Sequence, residues 1–206
     1  MKVNYISIIG GILALISLLL PWWTINMSVA VTEEIPLPGS YSVDVSIYPY
    51  KGTISASMMG TSLSLDISMN AWYCWAVLVL IVVGGILGIL GSIVAGKKLV
   101  VAMGGILALL SIIIFAAGLQ VELSQGMSIP PPTGTGTPLQ LPKLGLFSGG
   151  SFSLMGTQVN YSAYLSFGFW LALVAAIIMF VAIKKVKEAA PPTPAVAPAP
   201  PPPPPQ

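Results

Sequence analysis

The residues best suited to chemistry in this chain are a few carboxylates that lie between its apolar segments: Glu33, Glu34, Asp44, Asp66 and Glu122. The chain contains no histidine, so a general base working at neutral pH would have to be one of these carboxylates. The first four could also meet to hold a calcium ion, which prefers carboxylate oxygens. Because Asp44 and Asp66 fall on the polar side of an alternating sequence, we favour the interpretation that they are ordinary solvated carboxylates.

Other signs of catalysis or ligand binding are missing from the sequence. It has no phosphate-binding loop, no nucleophile elbow and no zinc-ligand spacing. The single cysteine, Cys74, excludes an intramolecular disulfide. We therefore predict a protein without catalytic residues, cofactor or metal. An enzyme that works through the outer carboxylates is the least favoured alternative.

The elements that would position these residues are four long stretches without charge. Their apolar cores are each about as long as the ~20 residues that a helix needs to cross a bilayer. Only 7% of residues are charged and 55% are hydrophobic, which is typical of a membrane protein. We predict an integral membrane protein, mainly α, in which a four-helix transmembrane bundle carries a small antiparallel β-sheet formed by two extracellular loops. The cores are Tyr5–Trp23, Trp72–Ala95, Leu99–Leu119 and Leu165–Ile183.

The lysines predict the orientation of these spans. Basic residues beside membrane spans are retained on the cytoplasmic side. Six of the eight lysines flank ends that would share one side, whereas five of the six acidic residues lie in the other loops. Both termini are therefore predicted to be cytoplasmic, in a multi-pass protein of the plasma membrane. All five tryptophans lie at or near the outward ends of spans, as expected for an interfacial aromatic belt. The six lysines are Lys2, Lys97, Lys98, Lys184, Lys185 and Lys187.

The same pattern divides the chain into six parts. Residues 1–23 form the first span, although they could instead be a signal peptide cleaved after Ala30. The rest are an outer β-rich loop (24–70), a helical hairpin (71–119), a second outer loop rich in Pro, Gly and Thr (120–160), the fourth span with its basic anchor (161–188) and a proline-rich tail (189–206).

The first outer loop alternates between apolar and polar residues. This period of two, interrupted by Pro and Gly, predicts four antiparallel strands with one apolar face that must be covered. The second loop adds a strand around Leu119, Val121 and Leu123 and a strand pair near Phe147–Leu154 and Gln158–Tyr161. Ile129–Leu141 is predicted to be an irregular crossing. The two loops together predict one sheet on the outer membrane surface.

A stripe of small residues marks the second span. Gly84, Gly88, Ser92 and Gly96 are spaced four apart, and small residues let helices approach closely in lipid. We interpret the stripe as packing within the bundle, with contact between copies as the alternative. A repeat of Gly-Gly-Ile-Leu-Ala-Leu, at Gly10 and again at Gly104, indicates either a duplicated hairpin or convergence of similar helices.

Two further features concern the ends of the outer loops and the tail. Asn26 and Asn160 begin glycosylation sequons, although both lie close to the predicted membrane surface, where the modifying enzyme has poor access. The tail has no charge and ten prolines, and we predict polyproline II or disorder. It could bind a cytoplasmic partner with an aromatic groove or act only as a solvated spacer.

The four-span plan, with cytoplasmic termini and a larger, four-stranded first outer loop, resembles the outline of claudin-like proteins. The likeness is one of topology, because the first loop has no cysteine pair and the Trp-Gly-Leu-Trp signature is missing.

The elaborated polar sequence is concentrated in the outer loops, while the spans carry only packing residues. We therefore expect a non-enzymatic envelope protein in the lipid bilayer, whose outer sheet binds another protein or another copy of itself. It would serve as an accessory subunit of a membrane complex or as an element that organises the surface. The alternative is a subunit of a passive channel or transporter, since no ionisable residue lies inside a span to couple ions. The net charge of +2 reflects the lysine anchors and gives no reason to expect nucleic acid as a partner.

Overall fold

The computed structural model describes nine stretches of the chain: 4–29, 41–58, 61–67, 71–93, 98–125, 128–129, 139–140, 144–154 and 157–185. Glu33, Glu34 and Gly96, most of the predicted crossing Ile129–Leu141 and the proline-rich tail lie outside these residues.

The described residues contain four α-helices. They are α1 (Tyr5–Ser17), α2 (Trp72–Ile93), α3 (Lys98–Gln125) and α4 (Phe167–Lys185). By length and composition, α2 and α3 can cross a membrane, whereas α1 and the apolar part of α4 are shorter. The sequence predicted four such spans, and the structure gives that length to two. The reason for the difference at α1 is that its helix ends at Ser17, six residues before the predicted end at Trp23.

The helices pack side by side in cyclic order, α1 on α2, α2 on α3, α3 on α4 and α4 on α1. Small and large residues are both completely buried between the helices, among them Ala14, Ala108, Ile81, Phe115 and Met179. Large apolar side chains point outward on every helix, for example Val79 and Ile106, which are about half exposed at 56% and 54%. The outer surface of the bundle is therefore largely apolar.

Six strands form one antiparallel sheet, in the order β4-β3-β2-β1-β8-β7. Strand β1 pairs with both β2 and β8, so the two predicted loops do join in a single sheet. The prediction of four strands in the first loop and of a strand pair near Phe147–Tyr161 is confirmed. The strands are β1 (Trp23–Val29), β2 (Tyr41–Ile47), β3 (Gly52–Met58), β4 (Thr61–Ile67), β7 (Ser148–Leu154) and β8 (Thr157–Leu165), and a separate pair consists of β5 (Ser128–Ile129) and β6 (Leu139–Gln140).

The prediction of a strand around Leu119, Val121 and Leu123 is wrong, because α3 continues to Gln125. Leu119 and Leu123 are both buried, while Val121 is 56% exposed. Residues four apart share one face of a helix, so the same two leucines that suggested a strand also fit a helix. The C-terminal end of α3 therefore reaches the level of the sheet and contributes to its core.

Two tryptophans join the sheet to the bundle. Trp22 and Trp23 are completely buried, so neither belongs to an interfacial belt, whereas Trp72, Trp75 and Trp170 are exposed. The Trp22 ring packs edge-on against Phe115 and Phe169 of the bundle, at centroid distances of 5.0 and 6.1 Å.

Backbone hydrogen bonds fix the same joint. The Trp22 backbone N–H donates to the Ile47 carbonyl, and the Trp22 carbonyl accepts from the Ser166 N–H, at 2.8 and 2.9 Å. The indole Nε1–H of Trp22 donates to the Ser17 carbonyl, at 2.9 Å, which ties the end of α1 to the start of the sheet.

Candidate interaction surface

The two faces of the sheet have opposite chemistry. Residues directly opposite one another on paired strands project to the same face. One row of partners runs Ala163, Ile25, Val45, Ile54 and Leu65 across five strands, and it is entirely apolar. The neighbouring row on the other face is polar and runs Ser162, Asn26, Asp44, Ser55 and Ser64. The register thus sorts the alternating sequence into an apolar face and a face of hydroxyl, amide and carboxylate groups.

The apolar face is covered at β1 and β8. Ile25 and Ala163 are 2% and 4% exposed, and they belong to the same buried cluster as Leu119 and Leu123 of α3 and Leu144. Hydrogen bonds hold this cover in place, because the Trp23 indole N–H donates to the Leu146 carbonyl, at 3.3 Å. The Leu146 backbone N–H in turn donates to the Gln120 side-chain oxygen, also at 3.3 Å.

Towards β4 the same apolar face is open. Leu63 and Leu65 of β4 are 61% and 58% exposed, and Ile54 and Ala56 of β3 are half-buried. We name these four residues the apolar patch. The sequence predicted that the apolar face must be covered, and the structure shows that this holds at β1 and β8, holds only partly at β3 and fails at β4. The reason is that α3 and the segment beginning at Leu144 cover only the part of the sheet near β1 and β8.

One ion pair ties β4 to the β2–β3 turn. Lys51 Nζ contacts Asp66 at 3.1 Å, and the Thr53 hydroxyl donates to the same carboxylate at 3.0 Å. The hydrogen bonds from Lys51 and Thr53 lower the pKa of Asp66, and the hydrogen bond to Asp66 raises the pKa of Lys51. The Asp66 carboxylate, on the polar face, thus binds the side chains of Lys51 and Thr53.

The other carboxylates in the described residues, Asp44 and Glu122, lie apart from this ion pair. Asp44 lies opposite Asn26 and Ser55, on a different row of the sheet from Asp66. Glu122 lies on α3 and accepts a hydrogen bond from the Tyr73 hydroxyl at 2.8 Å. In the part of the chain that the structure describes, no three His, Cys, Asp or Glu side chains come together in a way that could hold a metal ion.

A groove of about 420 Å³ lies between the N-terminal end of α2 and the C-terminal part of α3. Its walls are mostly apolar, and Tyr73 and Glu122 supply the polar groups at one end. Among the described residues that line the groove, Tyr73 is the ionisable group in contact with Glu122.

The described residues of the small-residue stripe, Gly84, Gly88 and Ser92, are buried inside the bundle. A Cβ added at Gly84 would stand 2.9 Å from the Gly104 carbonyl oxygen of α3, and one at Gly88 would stand 2.7 Å from the sulfur of Met179. Ser92 is buried and donates its hydroxyl hydrogen bond to the Ile89 carbonyl within the same helix. Sequence reasoning missed the interhelical hydrogen bond from the Ser7 hydroxyl to the Gly88 carbonyl, at 2.6 Å.

The two sequon asparagines lie opposite serines in central strands, where Asn26 pairs with Ser162 and Asn160 with Ser28. Asn160 is exposed and Asn26 is partly buried. Glycosylated asparagines are usually found in surface loops, so strand positions are an unusual setting for this modification.

Comparison with known proteins identifies no relative of this chain. No protein-family model matches the chain, and no curated protein matches it.

Proposed function

We propose that this chain is a non-enzymatic protein of the plasma membrane whose outer sheet binds another protein through the apolar patch. The observation that carries the proposal is the exposure of Leu63 and Leu65 on a sheet whose remaining apolar face is buried. Exposed apolar residues that continue a buried core are characteristic of protein interaction sites. An accessory subunit of a membrane complex, or an element that organises the cell surface, would use such a patch.

Placement in the membrane is part of this proposal. All four helices expose large apolar side chains, including Ile9 and Ile12 on α1 and Val174 and Ile177 on α4. Short α1 and α4 lie beside the longer α2 and α3, so the four can share one apolar belt. Lysines at the ends remote from the sheet support cytoplasmic termini and an extracellular sheet.

The orientation is tested by labelling in intact cells. In a Cys74→Ser background, a cysteine at exposed Ser64 should react with an impermeant thiol reagent added outside. A cysteine introduced at Ala189, in the tail, should react only after the cells are opened. The opposite result would reverse the orientation and move the sheet to the cytoplasm.

The interaction is tested by substitution in the patch. Leu65→Asp should release a partner that copurifies with the wild-type chain after crosslinking in the membrane, because a charge in the patch must be desolvated on binding. The matched control is Ser57→Asp on the polar face of β3, which should retain the partner. Equal recovery of the partner from both variants would show that the patch is not the binding site.

The competing hypothesis is a passive channel or transporter subunit. Ala14, Ala108 and Met179 are completely buried at the centre of the bundle, so side chains occupy the axis of a single copy. A pore would therefore have to form between copies, and no feature of the described residues favours one.

A further inference from the structure

The directions of the six strands relative to the helices follow from one row of partners. Trp23 begins β1 after α1, Leu165 ends β8 before α4, and Ile67 ends β4 before α2. The pairings place these three residues in the same row, through Ile47 and Gly52. This row is therefore the end of the sheet nearest the bundle. Strands β1, β3 and β7 run away from the bundle, and β2, β4 and β8 run towards it.

The two edge strands consequently run in opposite directions. Among the described strands the sheet ends at β4 on one side and at β7 on the other. The strand that would continue the antiparallel ladder beyond β4 has to run away from the bundle, as β7 does. A second copy in the same membrane, with the same orientation, presents its β7 in that direction.

Other pairings between two copies fail on geometry. Two β4 strands from copies in one membrane would be parallel, and the rotation that relates them would place the two apolar faces on opposite sides. An antiparallel pair of β4 strands would require one copy to be upside down, in a facing membrane. Only β4 against β7 keeps the ladder antiparallel and the apolar faces on the same side.

Both edges are built for pairing. Native edge strands are usually protected by Lys, Pro or a bulge. Neither β4 nor β7 contains Lys, Arg or Pro, and each pairs with its inner neighbour over seven consecutive residues without a bulge. Residues 61–66 of β4 are all exposed, as are Gly149, Gly150 and Ser151 of β7.

The side chains at matching heights are complementary. Leu65 shares its row with Ser148, and Leu63 shares its row with Gly150, so a neighbour at equal height brings Ser and Gly beside the two leucines. The single charge of β4, Asp66, is already paired with Lys51 and meets no charge on β7. Large side chains thus face small ones, without repulsion.

We propose that the partner of this surface is a second copy of the chain, and that β4 of one copy pairs with β7 of the next. The proposal rests on the proposed function, since it identifies the protein that the outer sheet binds. Because the contact uses two different edges, it repeats: each added copy leaves one β4 and one β7 free. The product is a row of copies in one membrane, carrying a continuous antiparallel sheet in which β7 of a neighbour lies beside the exposed leucines of each β4.

Disulfide trapping in cell membranes tests the pairing. In the full-length chain with Cys74→Ser, Ser64→Cys and Gly149→Cys are placed on separate, differently tagged copies that are expressed together. Oxidation should give mixed dimers and no dimers of either variant alone, and a chain carrying both cysteines should give a ladder of multimers. Within one copy these two positions are about 24 Å apart, because five strand spacings separate them, so no internal disulfide can form.

The control moves the cysteine one strand inward. Ser55 lies directly opposite Ser64 on β3, about 5 Å further from the neighbour, and Ser55→Cys should not crosslink to Gly149→Cys because Cα atoms more than about 7 Å apart cannot be bridged. Ser62→Lys on the β4 edge should reduce the yield of trapped dimers at least tenfold. Ser57→Lys, at the opposite position on β3, should preserve them.

Several results would overturn the proposal. Dimers of Ser64→Cys with itself would show that β4 contacts β4, and an absence of mixed dimers while both cysteines react with a soluble thiol reagent would exclude the β4–β7 contact. If mixed dimers are absent but a different protein copurifies and is lost in Leu65→Asp, the copy-to-copy contact fails and the proposed function survives. If Leu65→Asp loses neither a second copy nor a different protein as its partner, the copy-to-copy contact and the proposed function are both wrong.

Discussion

The two halves of the apolar face differ in what covers them rather than in their sequence. Ile25 on β1 and Leu65 on β4 belong to the same row of partners, and both come from strictly alternating segments. Ile25 is 2% exposed and Leu65 is 58% exposed. The difference shows that alternation determines which side a residue faces, while the position of its strand in the sheet determines whether that side is buried.

The largest expected effect comes from placing the same charge on each half. Ile25→Asp puts an unpaired carboxylate in the covered cluster and should destabilise the fold by more than about 5 kcal/mol, enough to prevent recovery of folded protein. Leu65→Asp should change the melting temperature little, because its side chain is exposed. The stability of both variants is measured by heating them in mild detergent and using susceptibility to a protease to monitor unfolding. Similar losses in the two variants would mean that the patch is covered within a single copy.

The joint beneath the covered half should be the next most sensitive place. Trp22→Ala removes a completely buried indole from between Phe115 and Phe169 and should cost about 3–5 kcal/mol. Trp75→Ala is the matched control, because this tryptophan is 61% exposed. Its loss should lower stability by less than about 1 kcal/mol. A stable Trp22→Ala variant would show that the sheet does not depend on the joint.

The smallest effect is expected at the open half, from the pair of Lys51 and Asp66. The pKa of Asp66 is lowered, so its contribution is present above the usual carboxyl range and is lost as the pH falls through the folded pKa. The pKa of Lys51 is raised from 10.5, so its contribution is present below that value and is lost as the pH rises through the folded pKa. Both groups are exposed, and salt should screen the pair. Melting curves of wild type and Asp66→Asn at pH 7 and pH 3 should differ slightly at pH 7 and converge at pH 3, and a gap that widens at pH 3 would contradict this.

Much of the sheet was predictable because alternation and turn residues are local signals. The residues at which the helices end were harder to predict from the sequence. Leu119 and Leu123 fit a strand by their spacing of two around Val121 and a helix by their spacing of four, and only the position of α3 against the sheet decides between these.

The role of the tryptophans could not be read from their positions along the chain. Trp22 and Trp75 both occur at the outward end of an apolar segment, where indole rings favour the membrane interface. Trp22 is buried because the helix ends at Ser17 and the indole ring then packs against Phe115 of α3 and Phe169 of α4, a tertiary contact with no local signal. The open edge of β4 could likewise be recognised only after the strand order was known.

The joint between sheet and bundle also has a mechanical consequence. A single residue, Ser166, separates β8 from α4, and its N–H is bonded to the Trp22 carbonyl. With so short a connection, a sideways force on the sheet is transmitted to the helices as a torque instead of being absorbed by a flexible linker. In a row of copies, the twist between neighbouring sheets would tilt successive bundles, and we expect the bilayer beneath such a row to bend.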